Sequence, residues 1–113
     1  MRIETSDEGG VRVFDIREPR IDAAGAVDFK EAIRAALTGH DGRVLLDLSR
    51  VEFLDSSGLG ALVAVMKMLG GRPLELAGVG PIVRKVLTLT RMDRVFVLHP
   101  DRDAALLPRD DAA

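Results

Sequence analysis

The first ten residues are mainly polar and end in Gly9-Gly10, a pair that suits a turn between two short strands. Val11-Arg12-Val13-Phe14-Asp15-Ile16 mostly alternates and is rich in β-formers, which predicts a strand. Arg17-Glu18-Pro19-Arg20 reads as a loop, because Pro19 cannot continue a central strand. From Ala23 to Leu37 the period becomes helical, with Ala26, Phe29, Ile33, Ala36 and Leu37 on one stripe. Asp22 is the expected N-cap of this helix and Gly39 its C-terminal glycine.

Val44-Leu45-Leu46-Asp47-Leu48 is nearly continuous in apolar residues, the pattern of a strand covered on both faces. The connection Ser49 to Asp55 carries Val51, Phe53 and Leu54, so part of it packs inward. A long helix is predicted from Ser57 to Leu69, with Leu59, Leu62, Val63, Met66 and Leu69 as its main stripe. Gly70-Gly71 ends it and Pro73 prevents its resumption. Leu74 to Ala77 alternates and reads as a strand. Gly78-Val79-Gly80 turns the chain, and Pro81 suits the first position of a helix whose stripe is Ile82, Val83, Val86, Leu87 and Thr90. Val95 to Leu98 reads as another buried strand, and Asp101 as the cap of a short last helix over Ala104 to Leu107. After the hairpin, helices and strands alternate, which predicts parallel pairing with right-handed crossovers. The expected architecture is one α/β domain over residues 1–107, with four or five strands in a mainly parallel mixed sheet and four helices. Residues 108–113 read as a frayed tail.

A chain of 113 residues has room for one core, and its 47% apolar content excludes a disordered chain. With 16 Lys+Arg against 18 Asp+Glu, the net charge of −2 argues against nucleic-acid binding. Four Phe and no Trp or Tyr leave no aromatic platform for bases or sugars. The absence of Cys removes disulfides, thiol nucleophiles and thiolate metal sites, and it fits a reducing compartment. The longest apolar run, Gly58 to Met66, is far short of the ~20 residues of a membrane span. The polar start has no apolar h-region of a signal peptide. These features predict a cytoplasmic domain with no membrane insertion.

Candidate chemistry concentrates where the strand ending at Asp47 leads into the long helix. Asp55, Ser56 and Ser57 stand in a row at the helix start. Capping alone accounts for one such residue, worth about 1 kcal/mol, but not for three. Gly58 and Gly60 each cost a helix about 1 kcal/mol relative to Ala, so something approaches that backbone closely: a phosphate, a partner or the neighbouring loop. Lys67 is the only charged residue of this helix, which makes it either buried all round or the carrier of an interaction patch. A serine hydrolase elbow requires Gly two positions before Ser, where Leu54 and Asp55 stand, and His40 and His99 fall near element ends, where they read as solvent-side or helix C-terminal residues and not as a base. Gly58-x-Gly60 and Gly78-x-Gly80 continue to Val63 and Val83, so neither is a dinucleotide fingerprint, and there is no Walker motif; no cofactor is expected. Asp101-Arg102-Asp103 and Asp110-Asp111 read as solvated surface rather than metal ligands. Arg84-Lys85 and Arg91/Arg94 read as a solvated helix face or as a contact for a partner's acidic groups.

The run Asp47-Leu48-Ser49-x-Val51-x-Phe53-Leu54-Asp55-Ser56-Ser57-Gly58-Leu59-Gly60 resembles the signature of the STAS domain, and within it the bacterial anti-sigma factor antagonists. Arg20-Ile21-Asp22-Ala23-Ala24 and Val83 to Phe96 resemble the family's first-helix opening and late helix-to-strand segment. Pro19 departs from the glycine often found ahead of the basic residue. The resemblance implies a non-enzymatic switch. The first serine of the motif, Ser56, would accept phosphate from an anti-sigma factor that is also a Mg-ATP-dependent serine kinase, with Ser57 a minor alternative. The unphosphorylated form would bind that partner and the phosphorylated form release it; a metal-dependent serine phosphatase would reset the cycle. Asp22, Asp55, Ser56, Ser57, Gly58, Leu59 and Gly60 would form the partner contact. The alternatives are a STAS scaffolding subunit of a lipid transporter or signalling complex, in which Ser56 need not be phosphorylated, and a small hydrolase using the serine pair.

Overall fold

The computed structural model describes residues 1–108; Asp110-Asp111 and the predicted tail beyond Pro108 lie outside them. The chain opens with the antiparallel hairpin β1 (Ile3–Glu8) and β2 (Val11–Ile16), turned by Gly9 and Gly10 at φ +60° and +81°. Parallel strands follow: β4 (Arg43–Asp47) on β2, β6 (Leu74–Ala77) on β4 and β7 (Val97–His99) on β6. The sheet order is β1-β2-β4-β6-β7. A separate parallel ribbon joins β3 (Arg20–Ile21) to β5 (Phe53–Leu54). Helices α1 (Ala26–Ala36), α2 (Ser56–Met68), α3 (Pro81–Leu89) and α4 (Arg102–Leu106) complete the domain, with a 3-10 turn at Met92–Arg94.

Strand register sorts the core into two unequal parts. Phe14, Leu46, Leu76 and Leu98 are aligned across the sheet and face the larger cluster, with Phe29 and Ile33 of α1, Leu62 and Val65 of α2, and Val83 and Leu87 of α3. The opposite face is covered by α4, where Ala105 and Leu106 meet Val11, Val13, Leu45 and Ala77. This second face also carries charge. Glu75, paired in register with Leu45, is only 1% exposed. Arg43 clamps it through Nε at 2.8 Å and Nη2 at 2.6 Å, and His99 Nε2 lies 2.8 Å from the same carboxylate. Arg43 Nη2 also donates to the Ala105 carbonyl at 2.9 Å, while Arg102 Nε donates to Asp47 at 3.0 Å. Charged clamps therefore tie α4 to the sheet.

Several expectations need correction. Helix α1 starts at Ala26 behind Gly25, which supplies no side-chain cap. Residues 23–25 instead form a turn in which the Gly25 N–H donates to the Asp22 carbonyl, and the Asp22 side chain pairs with Arg20 at 3.1 Å. Helix α2 buries Gly58, Ala61, Leu62 and Val65, while Leu59, Val63 and Met66 of the predicted stripe are only half-buried. Gly58 lets the start of α2 approach the β3–β5 ribbon closely, which places Gly58 on the buried side of the helix. On α3 only Val83 and Leu87 are buried; Ile82 and Thr90 face solvent. β7 begins at Val97 and is an edge strand among the described residues, with Val97 exposed. Arg102 belongs to the clamp network and His99 to the Glu75 cluster, so neither is plain solvated surface.

Candidate functional site

The β3–β5 ribbon sets the position of the serine pair. Leu54 and Ile21 are buried against the core, and the chain leaves β5 through Asp55 in an extended conformation. Asp55 is the N-cap of α2. Its Oδ1 accepts the Gly58 N–H at 2.8 Å, and its Oδ2 accepts the Ala23 N–H at 3.2 Å. One carboxylate thus satisfies a free helix donor and ties the turn after β3 to the start of α2.

With the cap supplied by Asp55, neither serine hydroxyl is needed to cap the helix. Ser56 and Ser57 are exposed, and neither hydroxyl makes a hydrogen bond among the described residues. Ser57, one of the expected caps, does not cap. Gly58 is buried, and a Cβ there would overlap the Ile21 carbonyl oxygen and meet Leu54 Cδ1 at 2.7 Å. The bland alternative for this glycine, close packing of the neighbouring loop, is what the geometry displays. Gly60 is exposed with open space around it, and Leu59 is half-buried. The fold therefore assembles Asp22, Asp55, Ser56, Ser57 and Gly60 around one rim, with Gly58 beneath it as a packing element.

Two residues at this rim escape sequence reasoning. Arg20 lies over the Phe53 ring, 4.3 Å from its centroid, and its Nε donates to Asp22 at 3.1 Å. Arg20 and Phe53 are register partners in the ribbon, so the stack depends on a pairing invisible to periodicity. The hydrogen bond from Arg20 holds the Asp22 carboxyl below the usual carboxylate range. What the rim offers chemically is a free, solvated hydroxyl at a helix N-terminus, where added negative charge is tolerated. No general base is hydrogen-bonded to either serine among the described residues.

The STAS domain model matches residues 2–105. This chain belongs to the STAS domain family. An anti-sigma-F factor antagonist of Mycobacterium tuberculosis, RsfB, is 31% identical over 105 residues, covering 92% of this chain and 85% of that protein. A STAS-domain containing protein of Pseudomonas aeruginosa is 35% identical over 80 residues, 68% of this chain and 77% of the relative. The crystal structure of an anti-sigma factor antagonist from Mycobacterium paratuberculosis superposes with a TM-score of 0.82 at 34% identity, covering 93% of this chain and 90% of that one. The mixed α/β architecture is that of these STAS neighbours. Among the described residues, no helix of this STAS domain is long and apolar enough to cross a membrane.

The capping assignment is directly testable. Asp55→Ala is expected to lower the unfolding free energy by about 1–2 kcal/mol, since it loses the cap bond and the tie to Ala23. Ser57→Ala is expected to stay within about 0.5 kcal/mol of wild type. Urea denaturation followed by circular dichroism distinguishes the two; a larger loss in Ser57→Ala than in Asp55→Ala would move the cap to Ser57.

Proposed function

We infer that this STAS domain is an anti-sigma factor antagonist working as a phosphorylation-controlled partner switch in the cytoplasm. Unphosphorylated, it binds an anti-sigma factor with serine kinase activity and so frees the sigma factor. In the kinase's active site the γ-phosphoryl group of ATP passes to Ser56 Oγ, the hydroxyl proton is lost, ADP leaves, and the complex comes apart. A serine phosphatase restores the hydroxyl. The domain itself is not an enzyme in this reading.

The observation that carries it is the freedom of Ser56: exposed, unbonded, and relieved of capping by Asp55. The names of the Mycobacterium tuberculosis and Mycobacterium paratuberculosis relatives support the choice of partner. Electrostatics supports the mechanism. A phosphate adds about −1.5 to −2 charges and three acceptor oxygens. The N-terminus of α2 favours that charge by about 0.3–1 kcal/mol, so the modified domain stays folded. In a docked interface the same charge falls beside Asp55, where like-charge repulsion and desolvation oppose binding. About 2.7 kcal/mol of such cost is a hundredfold loss of affinity. A local charge change therefore suffices for release, without refolding.

The test pairs Ser56→Ala and Ser56→Asp as baits in lysate of the native host. An ATPase retained by the Ala form and lost from the Asp form is the expected result. Both forms should melt within a few degrees of wild type. Identical retention by the two baits would remove Ser56 as the switch and leave a scaffolding role; turnover of an ester by the isolated domain would instead indicate a hydrolase.

A further inference from the structure

Most arginines on the sheet side of the molecule are matched to carboxylates, as Arg12, Arg17, Arg43 and Arg102 demonstrate. The α3 region is different. From Gly78 to Met92 the chain carries Arg84, Lys85 and Arg91 and no acidic residue, in a protein whose net charge is −2. None of these three cations forms an ion pair among the described residues. They flank exposed apolar surface. Ile82, Lys85 and Leu89 fall at helical spacing along one ridge, with Ile82 58% and Leu89 74% exposed. Val83 and Leu87 supply the inner face, so the outer apolar pair is not part of the buried core.

The start of the ridge also borders a groove next to the segment that leads into the serine rim. Ile82 walls a groove of about 400 Å³ whose far side is Ser49, Val51 and Glu52. Helix α3 packs against β5, and the residues after β5 are Asp55 and Ser56. The groove and the serine rim sit where α3 and α2 begin, at the end of the sheet where β6 and β4 end, and the ridge runs from there along α3 to Leu89.

We propose that the outer ridge of α3 is a second docking surface for the protein partner that reads Ser56, and that it receives an acidic segment of that partner bearing apolar side chains. The proposal rests on the partner-switch reading above. Charge complementarity selects the occupant: unpaired cations around an apolar ridge call for carboxylates around apolar groups. An anionic lipid surface fits less well, because Glu52 at the groove and Asp55 at the rim would meet it together with the cations. The ridge lies outside the immediate reach of a phosphate on Ser56. It therefore contributes to encounter and affinity, while Ser56 decides release. Its share of the interaction depends on salt and acts on the association rate.

The experiment uses the partner retained by Ser56→Ala, purified and titrated against the full chain. Arg84→Glu combined with Lys85→Glu is expected to weaken binding at least tenfold at about 0.1 M salt, slow association and flatten the salt dependence. Leu89→Ser is expected to weaken binding several-fold with little change in salt dependence. Both variants should keep the wild-type melting temperature, since the altered side chains are exposed and unpaired. Wild-type affinity in the charge-reversed protein, with Ser56→Asp still releasing the partner, overturns the ridge and leaves the switch intact. Loss of binding on charge reversal, with Ser56→Ala and Ser56→Asp bound equally, keeps the ridge and overturns the switch. No partner retained by any form overturns both. A parallel arm offers mixed phosphatidylcholine–phosphatidylglycerol vesicles; sedimentation with them that vanishes on charge reversal, alongside unchanged partner affinity, assigns the ridge to lipid and overturns the proposal.

Discussion

Arg43→Leu is expected to lower the unfolding free energy by about 3–5 kcal/mol, the cost of leaving a buried charge without its main partner. Glu75 is 1% exposed, and Arg43 supplies two of its three side-chain hydrogen bonds, at 2.8 and 2.6 Å. His99 at 2.8 Å would be the remaining one. The variant also loses the bond from Arg43 to the Ala105 carbonyl, so α4 should loosen in hydrogen exchange before the rest of the sheet. Replacing both members, Arg43→Leu with Glu75→Leu, is expected to recover much of the loss, because two apolar groups leave no orphaned charge. The pH response follows from the same cluster. Burial pushes the Glu75 carboxyl up, but the hydrogen bonds and charges of Arg43 and His99 together outweigh it and hold the group below its ordinary value of 4.5. A carboxyl depressed in the folded state stabilises fully above the unfolded value, and that contribution is lost as pH falls through the folded one. Wild type should therefore begin to lose this share of stability only as pH falls below about 4.5, whereas Arg43→Leu, in which burial of the Glu75 carboxyl is opposed by fewer partners, should lose less on the same acidification because protonation relieves its unpaired charge. Urea denaturation of the single and double variants across pH checks this; a single variant within about 1 kcal/mol of wild type would show that Glu75 is solvated after all.

The Glu75 cluster also marks where sequence reasoning stops. Leu74-Glu75-Leu76-Ala77 alternates, and alternation says that every second residue differs, not that the polar one sees water. The partners that make Glu75 tolerable come from β4 and β7, far away in the chain. The two-residue strands β3 and β5 are too short to show a period, yet their pairing puts Arg20 on Phe53 and Asp55 beside Ala23. Element order, by contrast, is legible. The glycines at 9–10 and 70–71 adopt positive φ where turns were expected, Pro81 opens α3, and Asp101 caps α4 through the Ala104 N–H at 2.7 Å. The phase of α2 is not, because a helix apolar on nearly every side presents no single stripe. Nor is the choice of cap, since Asp and Ser are about equally favoured there. Only the extended backbone at Asp55 resolves that choice, and with it the freedom of Ser56.

The two motif glycines are expected to respond in opposite directions. Gly58→Ala places a methyl group onto the Ile21 carbonyl oxygen and within 2.7 Å of Leu54 Cδ1. The first obstacle is backbone of the β3–β5 ribbon, so relief requires α2 to move away from it. The expected cost is about 2–3 kcal/mol, at the upper end of ordinary overpacking. Gly60 meets nothing within 4 Å and lies in the first turns of a regular helix, so Gly60→Ala is expected to stabilise by about 0.5–1 kcal/mol. Stability and function then separate. Gly58→Ala should disturb the serine rim through the displaced ribbon, weakening partner binding along with the fold. Gly60→Ala should leave the fold improved while adding a methyl group to the exposed surface beside Ser56. If Gly60→Ala raises the melting temperature and still lowers partner affinity, the absence of a side chain at this position serves the approaching partner and not the domain. If it raises the melting temperature and leaves affinity unchanged, the surface over Gly60 lies outside the contact, and the interface is carried by Ser56, its immediate neighbours and the α3 ridge.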